Sequence, residues 1–240
     1  MDRVKRGNKW GRNKPVNLQV ITFQNVTAHY EGILADISSR QLSGAADGQP
    51  LMTAQRYLNL LYPGNKDDLL PMEMRDIALE TLDTRFPSHR WLHVFTDGSA
   101  TGARRRNAGA GVYCKEFEIC CPVGHLASNF EGEIKGILMA LERIKKRVDP
   151  NVAILVDSQA AIMAVTSSSQ TISKDVLDCR KLVHEGIMDG KVIVFQWVPS
   201  HCGIDGNERA DELAKRGAEM NQPGAPKRFG APRRIVRIRP

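Results

Sequence analysis

Between residues 91 and 218 the spacing of apolar residues switches between two periods, and each switch marks an element. Residues 92–96 form a short apolar run that enters Asp97-Gly98-Ser99. Residues 110–114 and 117–123 follow, separated by Lys115-Glu116, and the three runs read as a meander of antiparallel strands. Ile134, Ile137, Leu138, Leu141, Ile144 and Val148 then recur at three and four residues, the period of an amphipathic helix of about five turns. Glu131–Lys135 and Glu142–Lys146 support its wet side, and Asp149-Pro150 ends it. The pattern predicts a strand over 152–156, helices over 158–165 and 172–187, a last strand over 192–198 and a last helix over 205–218. The order β-β-β-α-β-α-α-β-α predicts an α/β domain over residues 91–219. Its five-stranded mixed sheet has three antiparallel strands followed by βαβ crossovers, with helices on both faces.

The flanks read differently. Residues 1–90 form a leader without recognisable chemistry. It has a basic start expected to be disordered, a β-rich run over 16–26, a short amphipathic helix over 51–62 stopped by Pro63-Gly64, and a second helix over 71–85. Asp67-Asp68 lacks flanking apolar strands and reads as solvated surface. Residues 220–240 are rich in Pro, Gly and Arg and are expected to be a disordered tail. The net charge of +7 sits in these ends: residues 1–14 carry +5 and residues 223–240 carry +6, around a body of −4. Basic tails around an acidic body attract a polyanion without defining which one.

The five cysteines, 114, 120, 121, 179 and 202, show no paired metal spacing and no even count for a disulfide framework, so a reducing compartment is expected. The start MDRVKRGNKW has no apolar run after its charges, and no stretch is long and apolar enough to span a membrane. An intracellular location, nucleus or cytoplasm, is the expectation. Clusters of Arg and Lys at 227–228 and 233–239 are compatible with nuclear entry.

Four carboxylates lie at the ends or starts of predicted elements: Asp97 in VFTDGSA, Glu133 in NFEGEIKGILMAL, Asp157 in ILVDSQAAI and Asp211 in WVPSHCGIDGNERAD. A crossover could set Asp157 beside Asp97. Glu133 precedes Ile137 by four and so borders its helix's buried stripe. Asp205 with Glu208 has the spacing of a capping box and starts the last helix, on which Asp211 shares a face with Asn207. His201 precedes that helix in a loop. Taken singly, each acid has a bland reading; Asp157, for one, could cap the helix after it. Taken together they could converge on one point. Clustered like charges repel and raise each other's pKa, and a divalent cation removes the conflict. An all-oxygen donor set selects Mg²⁺ or Mn²⁺. Two such ions about 4 Å apart would clamp the attacking and leaving oxygens of a phosphodiester displacement.

TDGS at 96–99, GEI at 132–134, VDSQ at 156–159 and WVPSHCGIDGNERADELAK at 197–215 together resemble type 1 ribonuclease H. The Trp-Val-Pro-x-His version is most similar to the ribonuclease H segment of non-LTR retrotransposon polyproteins. The resemblance covers residues 91–218. It implies a ribonuclease H-like fold, two Mg²⁺ ions (or Mn²⁺), cleavage of the RNA strand of an RNA–DNA hybrid, a monomer without a small-molecule cofactor, and a reverse transcriptase module as a partner. By position, Asp97, Glu133, Asp157 and Asp211 resemble the metal-binding acids, and His201 the histidine that assists protonation and product release. Gly98 and Ser99 resemble the backbone approach to ribose 2′-hydroxyls, Gln159 a contact to the RNA strand, Ser128 and Asn129 contacts to the DNA strand, and Asn207 a residue near the metal site. Phe130 departs from the pattern, standing where a second Asn is common. The short, nearly neutral 166–173 replaces the basic insertion of some cellular members, and the tails with Arg104, Arg105 and Arg106 are expected to supply phosphate contacts instead. The rival expectations are a relic of the same fold that binds hybrid without cutting, an integrase- or resolvase-like nuclease, and a plain basic RNA-binding protein.

Overall fold

A computed structural model of the chain describes residues 51–62, 69–101 and 107–223. The run over 16–26, Asp67-Asp68, Arg104, Arg105, Arg106 and the two basic ends, with their phosphate contacts, lie outside the described residues. The elements are β1 (Gln55–Tyr57), α1 (Pro71–Arg85), β2 (Leu92–Thr101), β3 (Asn107–Cys114), β4 (Phe117–His125), α2 (Asn129–Lys145), β5 (Asn151–Val156), α3 (Gln159–Thr166), α4 (Lys174–Met188), β6 (Val192–Trp197) and α5 (Asp205–Glu219).

The strands form one sheet in the order β1-β6-β5-β2-β3-β4. The β2–β3–β4 meander is antiparallel, and β2, β5, β6 and β1 run parallel. This is the expected mixed sheet with one strand more than the five expected. The sixth, β1, comes from the stretch 51–62, for which the apolar spacing predicts a helix. A short run with apolar residues on both sides carries no decisive period. Here Gln55, Arg56 and Tyr57 pair in parallel with Val194, Phe195 and Gln196 of β6, and Tyr57 and the following Leu58 pack into opposite core clusters.

Strand residues alternate between two cores. Val94, Ile154, Ile193 and Phe195 pack with Ile137, Leu141, Ile162 and Val183 of α2, α3 and α4. Phe95, Leu155 and Val194 pack with Met74, Ala78 and Leu82 of α1 and with Ala210 of α5. Helices thus cover both faces, which gives parallel strands the two-sided burial they require. Residues 51–62 and 69–86 are tied in by polar bonds as well. The Arg85 guanidinium donates to Asn59 O and to Oε1 of the fully buried Gln196, at 2.7 and 2.8 Å. Leu61 N donates to Thr81 Oγ1 at 3.1 Å, and Phe86, 3% exposed, meets Tyr57 and Trp91 edge to face.

Three local expectations need correction. Helix α2 stops at Lys145, so Val148 lies outside the buried stripe and is 95% exposed; the chain has already turned toward Asp149, which Arg147 holds through Nε at 2.6 Å. Helix α4 begins at Lys174, because the Ser173 hydroxyl accepts from Val176 N and caps it there, leaving Ile172 exposed. The Asp205/Glu208 capping box does not form. Buried Ile204 takes the N-cap position, and the Glu208 carboxylate reaches past it to Gly203 N at 3.2 Å. A capping box forms instead at Ser128, whose hydroxyl accepts from Glu131 N while the Glu131 carboxylate accepts from Ser128 N. That bond engages the carboxylate expected to support α2 through Lys135.

Candidate active site

The register Thr96↔Val156 between β2 and β5 sets the next residues, Asp97 and Asp157, side by side where the two strands part. Beyond that point β2 continues against β3, while the chain after β5 turns into α3. Ser158 caps α3 by accepting from Ala161 N, so the Asp157 carboxylate is not spent on the helix. The Trp197 indole donates to Asp157 O at 3.1 Å and fixes the backbone of that turn from β6.

Glu133 enters from α2. Gly98 on β2 makes the close approach: a Cβ built there would lie 2.2 Å from Glu133 N and 2.5 Å from Gly132 C. Gly132 reciprocates, since its Cβ would meet Gly109 O at 2.8 Å and Gly98 Cα at 3.0 Å. Only side-chain-free backbone permits this packing. The outcome is that ligand oxygens of Asp97, Glu133 and Asp157 all lie within 4.8 Å of one another.

Asp211 arrives on α5, which closes on the sheet through a second set of glycines. Cβ atoms at Gly109 and Gly111 would strike Ala214 O and Ala210 O at 2.2 and 2.1 Å. Asp211 is 9% exposed, and one of its carboxylate oxygens groups within 4.8 Å of His201 and Glu208 rather than with the other three acids. His201 is exposed, in a loop between buried Val198 and Ile204, with φ 54. The side chain of Asn207, 1% exposed, hydrogen-bonds Asp157.

Electrostatics follow from this packing. Asp97 and Glu133 are 5% and 3% exposed. Burial, then the neighbouring Asp157 and Asp211 charges, push the Asp97 carboxyl up to about 7. Burial, then Asp157 and Asp97, push Glu133 up to about 10. Burial also raises Asp157, opposed by the Asn207 hydrogen bond and the nearby His201. Glu133 Oε2 and Asn207 Oδ1 are buried with no hydrogen-bond partner. An all-oxygen acid cluster that repels itself and keeps an orphaned carboxylate oxygen fits a hard divalent cation.

The other predicted residues fall around the cluster. Gly98 is buried and serves the β2–α2 contact, while Ser99 is half-buried beside it. Ser128 and Asn129 are exposed at the start of α2, with Phe130 40% exposed next to them. Gln159 is exposed, and its amide donates to Leu58 O at 3.0 Å. Sequence reasoning missed Glu208 as a neighbour of Asp211, and it missed Lys215, whose ammonium lies 2.5 Å from Asp211 Oδ2. The i,i+4 spacing of Asp211 and Lys215 was the available signal.

The RNase H family model matches residues 89–219. Ribonuclease H1 of Homo sapiens is 30% identical over 144 residues, covering 54% of this chain and 50% of the relative. Ribonuclease H of Pseudomonas syringae pv. syringae is 30% identical over 141 residues, covering 53% of this chain and 92% of the relative. The chain spans about half the length of the mammalian relatives it matches. Among solved structures, RNase H1 from the halophilic archaeon Halobacterium salinarum is 23% identical, with a TM-score of 0.42, covering 54% of this chain and 98% of that one.

Proposed function

The chain belongs to the RNase H family, and from that premise we propose that it is an endoribonuclease that hydrolyses the RNA strand of RNA–DNA hybrids. The observation that carries the reading is the triad Asp97, Glu133 and Asp157, drawn within 4.8 Å while Glu133 Oε2 stays without a partner. The motif set, with Trp197-Val198-Pro199 leading to His201, supports an origin in a retrotransposon polyprotein and a reverse transcriptase module as its companion.

Asp97, Glu133, Asp157 and Asp211 would hold two Mg²⁺ or Mn²⁺ ions. Bound there, such ions supply an activated water and charge stabilisation on both sides of the scissile phosphate. The chain's residues supply the rest. Asn207 and the Trp197 indole hold Asp157 by its side chain and its backbone. His201 stands beside Asp211 on an exposed loop, where its imidazole can give a proton to the departing 3′-oxygen or take part in product release. Ser99, at the rim beside Gly98, offers the backbone approach to a ribose 2′-hydroxyl, the group that separates RNA from DNA. Asn129, Ser128 and Phe130 line the start of α2 on the side where a second strand would lie.

The test is a labelled hybrid incubated with Mg²⁺. RNA-strand products ending in 3′-hydroxyls, abolished by Asp97→Asn, support the assignment. Retarded bands without products point to a silent hybrid binder. Cutting of duplex DNA points to a different nuclease on this fold.

A further inference from the structure

We propose that Lys215 is a built-in counter-cation of the acid cluster, which holds Asp211 apart from the other three carboxylates until a divalent cation displaces it. The inference rests on reading the cluster as a cation site. Three acids already share one spot: the oxygens of Asp97, Glu133 and Asp157 lie within 4.8 Å of each other. Asp211 stands off and groups with His201 and Glu208. What engages it is Lys215 Nζ, 2.5 Å from Asp211 Oδ2. Among the described residues, no other Lys or Arg is ion-paired with any of the four acids.

The geometry suits a removable ion. Lys215 lies one turn beyond Asp211 on α5, the orientation favoured for an i,i+4 pair. Its side chain is 57% exposed, whereas that of Asp211 is 12% exposed. The ammonium therefore reaches a nearly buried carboxylate from solvent and can swing back without stranding its own charge. It occupies one Asp211 oxygen and leaves Glu133 Oε2 unserved, so the inner part of the cluster still lacks a positive partner. A divalent cation arriving there repels the ammonium and competes for the same oxygen. Each bound cation then displaces one ion pair, and the measured affinity is lowered by the stability of that pair.

Isothermal titration of Mn²⁺ into the full chain tests this directly. Lys215→Met should bind Mn²⁺ about two- to fivefold more tightly than wild type at low salt, the range set by loss of an exposed ion pair. The gap should narrow as KCl is raised. Lys215→Arg, which keeps the pair, should stay near wild type. Equal or weaker binding by Lys215→Met, with wild type binding normally, overturns the role given to Lys215 and leaves the cation site standing. No Mn²⁺ binding by wild type overturns both.

Discussion

Replacing Asp97 by Asn should make the cation-free protein more stable at neutral and alkaline pH while removing its activity. The carboxyl titrates near 7 in the fold against an ordinary value of 3.8. A native group that holds its proton to higher pH than the unfolded chain binds more protons between those two values, so stability falls as pH rises through that window. The slope is about 1.4 kcal/mol per pH unit, or about 4 kcal/mol once pH exceeds 7. Asp157 and Glu133 share the same field and redistribute protons when one acid is neutralised, so about 1–3 kcal/mol should be recovered. For a domain of this size that raises Tm by roughly 3–10 °C. The assay is thermal unfolding by circular dichroism in excess EDTA at several pH values. The variant's advantage should be small near pH 4, grow to pH 7 and then level off. Adding Mg²⁺ should raise the wild-type Tm and leave Asp97→Asn nearly unmoved. An Asn variant less stable than wild type at pH 8 in EDTA, or an advantage independent of pH, would refute the claim that burial and crowding strain this cluster.

Two further substitutions probe how the site is held. Gly98→Ala places a methyl 2.2 Å from Glu133 N, against backbone that cannot yield locally, and should cost about 2–4 kcal/mol in urea unfolding, with weakened Mn²⁺ binding because Glu133 is pushed from Asp97; an Ala variant of wild-type stability would show that the helix does not sit this close. Phe86→Ala, in a segment preceding the family match over 89–219, should cost about 3–5 kcal/mol, since Phe86 is 3% exposed between Tyr57 and Trp91; a loss under 1 kcal/mol would detach α1 from the working domain.

The apolar spacing was informative where elements were long or clearly bounded. The α2 stripe, the meander and the last helix stand within a few residues of expectation because the helical period runs over several turns and Lys115-Glu116 marks the turn between β3 and β4. The stretch 51–62 was opaque: it reads as a helix, yet 55–57 form β1 with Gln55 and Arg56 exposed, because pairing with the edge of β6 decides between the two. Caps were misassigned for a related reason. Asp205 and Glu208 have the right spacing for a box, but Ile204 is driven into the core and sets where α5 starts. At the site, the four acids were visible as residue types at element ends. Their unequal association was not, because it depends on Lys215 and Glu208, which read from sequence as ordinary helical charges.

Residues without side chains determine where the acids stand. Ala110 and Val112 of β3 pack in the core that includes α2, and the alternating Gly109 and Gly111 meet α5 on the other face. Gly98 and Gly132 close the gap between β2 and α2, and Gly217 lets α5 lie on Cys121 O, which its Cβ would approach to 2.4 Å. Each glycine removes a methyl that would hold a helix off the sheet. The helix on one face then delivers Glu133, and the helix on the other delivers Asp211, toward the point where β2 and β5 diverge. A carboxylate reaches only a few ångströms from its backbone, so acids from opposite faces can approach one another only if both helices lie this close. The glycine spacing in TDGSA, NAGAGV and EGEIKG is therefore as much a part of the candidate chemistry as the acids themselves. A sequence that kept the four acids but replaced these glycines by alanine would lose the pocket.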